Sequence, residues 1–205
     1  MNPPEFKTEF LRELDRLIIA PVVGAFTNYH LKDTARPLIS EGDPPDPRDL
    51  RILLLATALA ESGLRELQQG PTDEPSDALS FWQIEPATHL DIYNNFLQNR
   101  PVLRSVIREN TGMLIFPTDV SAPPILNRKF QSAKGGCPPH WFLVANPRYA
   151  CFMARICYFR TPDLIPPWEG DIEPFARLWK AAYNTGGGKG TVEHFCEAWA
   201  SRVKS

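Results

Sequence analysis

A chain of 205 residues, 43% of them hydrophobic, is long enough to bury a substantial core and has the size of one globular domain. Its 22 Lys and Arg against 24 Asp and Glu leave a formal net charge of −2, which excludes a net basic field that would draw it onto nucleic acid or an anionic membrane. The longest apolar run near the N-terminus, Leu17 to Phe26, follows Glu13, Asp15 and Arg16 and contains Pro21, the pattern of neither a signal peptide nor a membrane span. Synthesis in the cytoplasm without a signal peptide is therefore expected, with no nucleic-acid and no membrane partner.

In chain order, Pro3 and Pro4 precede an amphipathic helix carrying Phe6, Phe10, Leu14, Leu17 and Ile18, which Pro21 is expected to end for want of an N–H. Asp43-Pro44-Pro45-Asp46-Pro47 is a proline-rich connector. Asp49 is expected to cap the next helix, on which Leu50, Leu54, Ala58 and Glu61 recur at helical spacing, with Gly63 as the break. That places a carboxyl, Glu61, on an apolar stripe near a helix end. An unpaired carboxylate there is costly, and desolvation raises its pKa, which keeps a carboxylic acid able to donate a proton near neutral pH. The plainer reading is a Glu at the rim of the core or paired with a basic residue.

Gly70 to Asp77 reads as a loop whose acids Asp73, Glu74 and Asp77 could reach a cleft and position a water. Phe81-Trp82-Gln83-Ile84 suits a short strand or a turn. Pro86 opens a helix to about Gln98, and Pro101 another that Asn110-Thr111-Gly112 stops. From 113 to 145, prolines and glycines interrupt any period, which predicts a loop-built lobe or cleft flank. Asn146 caps a helix that ends before Pro162, Asp171 to Tyr183 forms the next, Gly186-Gly187-Gly188 breaks it, and Thr191 caps the last. The chain is mainly α, without repeats or low-complexity tracts.

Cys137, Cys151, Cys157 and Cys196 contain no CxxC pair and read as free core or surface thiols. His30, His89, His140 and His194 lack HExxH-type spacing, and a zinc site built on Cys137 and His140 would want two more ligands, so no metal is expected. Gly186 to Gly190 has no Walker spacing, so no nucleotide is expected either.

Three segments stand in order: Ala60-Glu61-Ser62-Gly63-Leu64, Ser80-Phe81-Trp82-Gln83-Ile84-Glu85-Pro86-Ala87-Thr88, and Ala181-Ala182-Tyr183-Asn184-Thr185-Gly186. This order resembles soluble lytic transglycosylases and goose-type lysozymes, whose pattern is a Glu-Ser pair, a Gly-Leu-Met-Gln-Leu/Ile-x-Pro-x-Thr segment and a later Ala-Tyr-Asn-x-Gly. The resemblance implies a lysozyme-like fold, a helical domain with a small irregular or β-containing lobe flanking the cleft. It makes 1–205 a single domain, with 1–48 the N-terminal helix and connector and 49–205 the catalytic core. It implies cleavage of the β-1,4 bond between N-acetylmuramic acid and N-acetylglucosamine in peptidoglycan, with no cofactor.

On that resemblance Glu61 and Tyr183 are the catalytic candidates, the tyrosine hydroxyl approaching the acid, and Ser80, Trp82, Gln83, Glu85, Thr88 and Asn184 the substrate-binding ones. Ser80, Phe81 and Trp82 depart from the Gly-Leu-Met pattern, and Glu85 replaces an apolar or neutral residue. Taken alone, Trp82 and Phe81 suit a core, and Tyr183 closes a helix face that must be buried. Glycoside cleavage requires protonation of the leaving oxygen, normally with two carboxyls; a transglycosylase manages with one because the substrate's own C6-hydroxyl completes the reaction. Without an export signal the chain resembles phage endolysins, virion-associated muralytic proteins or a toxin delivered by a secretion machine. It would then act in the periplasm or cell wall after release, injection or secretion, with glycan strands as partners and virion proteins or a cognate immunity protein beside them. A hydrolytic lysozyme, a chitinase-like glycosidase and a non-catalytic virion or wall-binding protein are the alternatives.

Overall fold

The structure is a computed structural model that describes residues 5–32, 45–65, 67, 78–112, 137–161, 163–184 and 189–204, and over these the chain is mainly helical. Strand β1 (Glu5–Phe6) leads into α1 (Glu9–Leu14), capped by Thr8 Oγ1, which accepts the Leu11 N–H. The rod then runs through a π-helical turn, Asp15–Ile19, into α2 (Ala20–Lys32). Pro21 therefore does not end the helix. The π turn widens the ladder just before it, with the Ala20 N–H reaching back to Asp15 O. The carbonyl of Leu17, four residues before a proline with no N–H to offer, accepts from Arg148 Nε at 3.0 Å instead. The uninterrupted rod sets Leu14, Ile19, Val22, Val23 and Phe26 into the core.

Helix α3 (Pro47–Ser62) starts from Asp46, not Asp49: Pro47 takes the first helical position, so the cap falls one residue earlier, and Asp46 accepts the Arg48 N–H at 2.8 Å. Asp49 is buried in the first turn and accepts the backbone N–H of Trp168 at 3.0 Å. From Ile52 to Ala60 every residue of α3 is buried, so the helix is the central rod of the molecule and not an amphipathic one. It packs against α2 and against the later helices over 147–159, 173–182 and 192–202. Gly63, at a φ of 57° in the left-handed region, closes it by donating to Leu59 O at 2.9 Å.

Residues 80–83 form a turn across which Leu79 and Ile84 pair. Next come α4 (Pro86–Asp91), prolonged by a π turn and a 3₁₀ turn to Asn99, and α5 (Pro101–Thr111), ended by left-handed Gly112. After α6 (Phe142–Ala145), Asn146 caps α7 (Pro147–Phe159) by accepting the Tyr149 N–H. Helices α8 (Glu173–Ala182) and α9 (Val192–Arg202), the latter capped by Thr191, precede β2 (Val203–Lys204), which pairs antiparallel with β1.

The expected β-containing lobe is not seen among the described residues: their one sheet is the two-residue pair of β1 with β2, which joins the two ends of the described chain. Most of the irregular stretch, 113–136, lies outside the described residues, as do Asp73, Glu74, Asp77 and Gly186 to Gly188. Among the described residues no helix is long and apolar enough to cross a membrane. All four cysteines are free.

Candidate active site: a carboxyl in a cleft

The last turn of α3 delivers Glu61 to a cleft of about 710 Å³, within the roughly 300–1,000 Å³ typical of ligand pockets. The turn before α4 contributes Gln83 and Glu85, α4 contributes Thr88, the end of α7 Cys157 and Arg160, and the end of α8 Tyr183 and Asn184. The chain from 60 to 184 is thus folded so that its three motifs converge on one concavity.

Glu61 is half-buried, and its Oε1 accepts a hydrogen bond from Trp179 Nε1 at 2.8 Å. Burial pushes its carboxyl from 4.5 up to about 7; the Trp179 bond and nearby His194 pull it down, and the charge of Glu85 adds to the rise. A carboxyl raised into that range can both give and take a proton near neutral pH. His194, on α9, makes its own hydrogen bond through Nε2 with Ala60 O at 2.9 Å.

Ser62 explains its place beside Glu61. Its Oγ lies 3.0 Å from Ala58 O and 2.9 Å from Phe81 O, either of which it can donate to, and it accepts the Leu64 N–H at 3.1 Å. The end of α3 is thereby fastened to the 80–83 turn. Within that turn Ser80 and Gln83 have φ of 74° and 45°, and Gln83 Nε2 donates to Ser80 O at 2.7 Å. Gln83 lines the cleft; Ser80 does not, being buried with its Oγ accepting the Trp82 N–H at 3.3 Å.

Trp82 is likewise no sugar platform. It is fully buried, and its Nε1 donates to Leu54 O at 2.9 Å, which locks the turn onto the middle of α3. Tyr183 lines the cleft, but its hydroxyl donates to Trp82 O at 2.7 Å and its ring stacks on Tyr158 at 5.4 Å. Burial raises the Tyr183 hydroxyl well above its ordinary value. Its contribution is to hold the turn, and the carboxyl's aromatic partner is Trp179. Glu85, Thr88 and Asn184 line the cleft as expected. Asn184 Oδ1 accepts from Lys180 Nζ at 2.9 Å.

Sequence reasoning missed Trp179, His194, Arg160 and Gly190. A Cβ on Gly190 would come within 2.5 Å of the Trp179 ring and 3.1 Å of Asn184 Nδ2, so only glycine lets the chain pass over the indole that holds Glu61. The available signal was the indole itself, since a buried Trp N–H needs an acceptor and Trp179 stands one helical turn before Tyr183.

Cys137 and His140, weighed as zinc ligands, lie in a different buried cluster. His89 Nδ1 shares a hydrogen bond of 2.8 Å with His140 Nδ1, its Nε2 is 2.5 Å from the Tyr149 hydroxyl, and Cys137 Sγ lies 3.9 to 4.0 Å from both ring nitrogens. Among the described residues no set of three or more His, Cys, Asp or Glu could hold a metal ion. No protein-family model matches the chain, and no curated protein or solved structure is significantly similar to it.

Proposed function

We propose that the chain is a peptidoglycan-cleaving enzyme of lysozyme-like fold, a lytic transglycosylase in which Glu61 serves as acid and then base. The observation that carries this reading is the carboxyl of Glu61, raised to about 7 by burial in the cleft and oriented by the Trp179 indole. Glu61 protonates the glycosidic oxygen as the C1–O bond breaks, and the substrate's N-acetyl group stabilises the positive charge that develops at C1. The C6-hydroxyl of the same sugar then attacks C1 and returns its proton to Glu61, closing a 1,6-anhydro ring. No water is consumed. The partners are peptidoglycan glycan strands; the site of action is the periplasm or cell wall after release, injection or secretion.

Glu61→Gln keeps the size and the acceptor for Trp179 but has no titratable proton. A zymogram on purified peptidoglycan, with folding followed by circular dichroism, is expected to lose nearly all clearing. A folded variant that clears at close to the wild-type rate would remove Glu61 from the mechanism.

One observation favours hydrolysis as a second reading. Glu85 lines the same cleft, and although it occupies the cap position of α4 its side chain makes no capping hydrogen bond. Such a carboxylate could take the proton of a water that attacks C1 in place of the C6-hydroxyl. Mass spectrometry of a sacculus digest separates the two: anhydro products are expected, and products heavier by one water refute transglycosylation while leaving Glu61 as the acid.

A further inference from the structure

Arg160 has no role in that chemistry, yet it is the one cation among the described residues lining the cleft, which also holds the carboxyls of Glu61 and Glu85. It is the first residue past α7, and its backbone N–H still bonds to Ile156 O at 3.0 Å, so the end of a well-packed helix sets its position. Its Nη1 pairs with Asp91 Oδ2 at 2.6 Å, and the other Asp91 oxygen accepts from Asn95 Nδ2 at 2.6 Å. The guanidinium also lies 5.8 Å from the centroid of the Phe96 ring. A guanidinium offers five N–H donors in a rigid fork, so an ion pair through one nitrogen orients the group and leaves the rest of the fork to a second acceptor.

A cleft with two carboxyls repels an anionic substrate and has no need of a fixed cation for a neutral one. Covering a partly buried guanidinium with an uncharged sugar would also strip its water and give back no charge-assisted bond. From this juxtaposition of Arg160 with Glu61 in one cleft we infer that Arg160 is a specificity residue that takes a carboxylate of the substrate, confining the site to carboxylate-bearing β-1,4 glycans over neutral ones of the chitin kind. The inference rests on the glycosidase reading. The carboxylate has two possible sources, the peptide stem or the lactyl ether freed when the stem is removed.

The test is steady-state cleavage by the full chain of four substrates: stem-bearing strands and strands stripped of peptide, each with its carboxylates free and amidated. On the substrate that carries the recognised carboxylate, wild type is expected to show a KM about ten- to a hundredfold higher for the amidated form than for the free form, the worth of a charge-assisted hydrogen bond, with kcat little changed. Arg160→Gln is expected to raise KM on the free form of that substrate by the same factor and to gain nothing from the free over the amidated form. Whichever unamidated substrate, stem-bearing or stripped, shows the Arg160-dependent KM identifies the carboxylate. Asp91→Asn removes the charge of the pair but keeps an acceptor oxygen to orient the guanidinium, and is expected to keep the discrimination.

If Arg160→Gln discriminates as well as wild type does, or if both variants lose discrimination alike, Arg160 is only a tie between α4 and α7 and the inference falls while the glycosidase reading stands. A wild-type chain that cleaves none of the four substrates fails both.

Discussion

Glu61 couples function to stability through one proton. Its carboxyl sits at about 7 in the fold against an ordinary 4.5, so the folded chain binds a proton over that interval that the unfolded chain has released. A raised pKa contributes stability that is fully present below 4.5 and is lost as pH rises through about 7. Glu61→Gln cannot titrate and escapes that loss. The variant is therefore expected to be more stable than wild type above pH 7, by as much as about 3 kcal/mol, with the advantage shrinking toward pH 4.5. Urea denaturation of both proteins across this range reads the difference directly, and a gap that does not change with pH would contradict the burial on which the assignment rests. Glu61 was legible in the sequence because a lone acid on an apolar stripe is a local anomaly. Trp179 was not, because its indole reaches Glu61 across 118 residues of chain and only the packing of α8 against α3 brings them together. Trp82 was misplaced for a related reason: an aromatic in a motif looks alike whether it faces a sugar or a helix carbonyl, and here Leu54 O decides.

Helix boundaries were legible wherever the signal is carried within a turn of chain. Pro86, Pro101 and Pro147 open helices, Asn146 and Thr191 cap them, and Gly63 and Gly112 close them in left-handed conformations. Pro21 fails as a stop signal because its defect is repaired from far away, by Arg148 donating to Leu17 O across 131 residues. The repair makes a quantitative expectation. Arg148→Met should cost about 1 kcal/mol by leaving that carbonyl without its donor. In a Pro21→Ala background the alanine N–H can reach Leu17 O itself, so the same substitution should cost distinctly less. A thermodynamic cycle over the four proteins measures the coupling; strict additivity would show that Arg148 does not stand in for the missing bond.

At the scale of the molecule, the pH response comes from two separate buried sites, Glu61 at the end of α3 and the cluster of His89 on α4. The mainly helical class was legible from periodicity, and the convergence was foreshadowed by the order of the three motifs. The cluster behind α4 was not, since His89, His140 and Tyr149 lie 51 and 60 residues apart in the pairs that bond. Burial depresses His89 from 6.5 to about 3, with the charge of His140 adding to the effect, and His140 is lowered by its own burial. A histidine with a depressed pKa is neutral in the fold while the unfolded chain takes up a proton, so its contribution is present above 6.5 and is lost as pH falls toward 3. Glu61 and His89 therefore tilt stability in opposite directions, the contribution of Glu61 falling as pH rises from 4.5 to about 7 and that of His89 falling as pH drops below 6.5. The melting temperature is expected to fall as pH is lowered from 6.5 toward 3, and less steeply in His89→Gln, which keeps a donor and an acceptor but takes no proton. The comparison of slopes isolates His89 from the carboxylates that titrate over the same interval. Equal slopes in variant and wild type would mean that the buried ring does not oppose protonation, and that the acid limb belongs to the carboxylates alone.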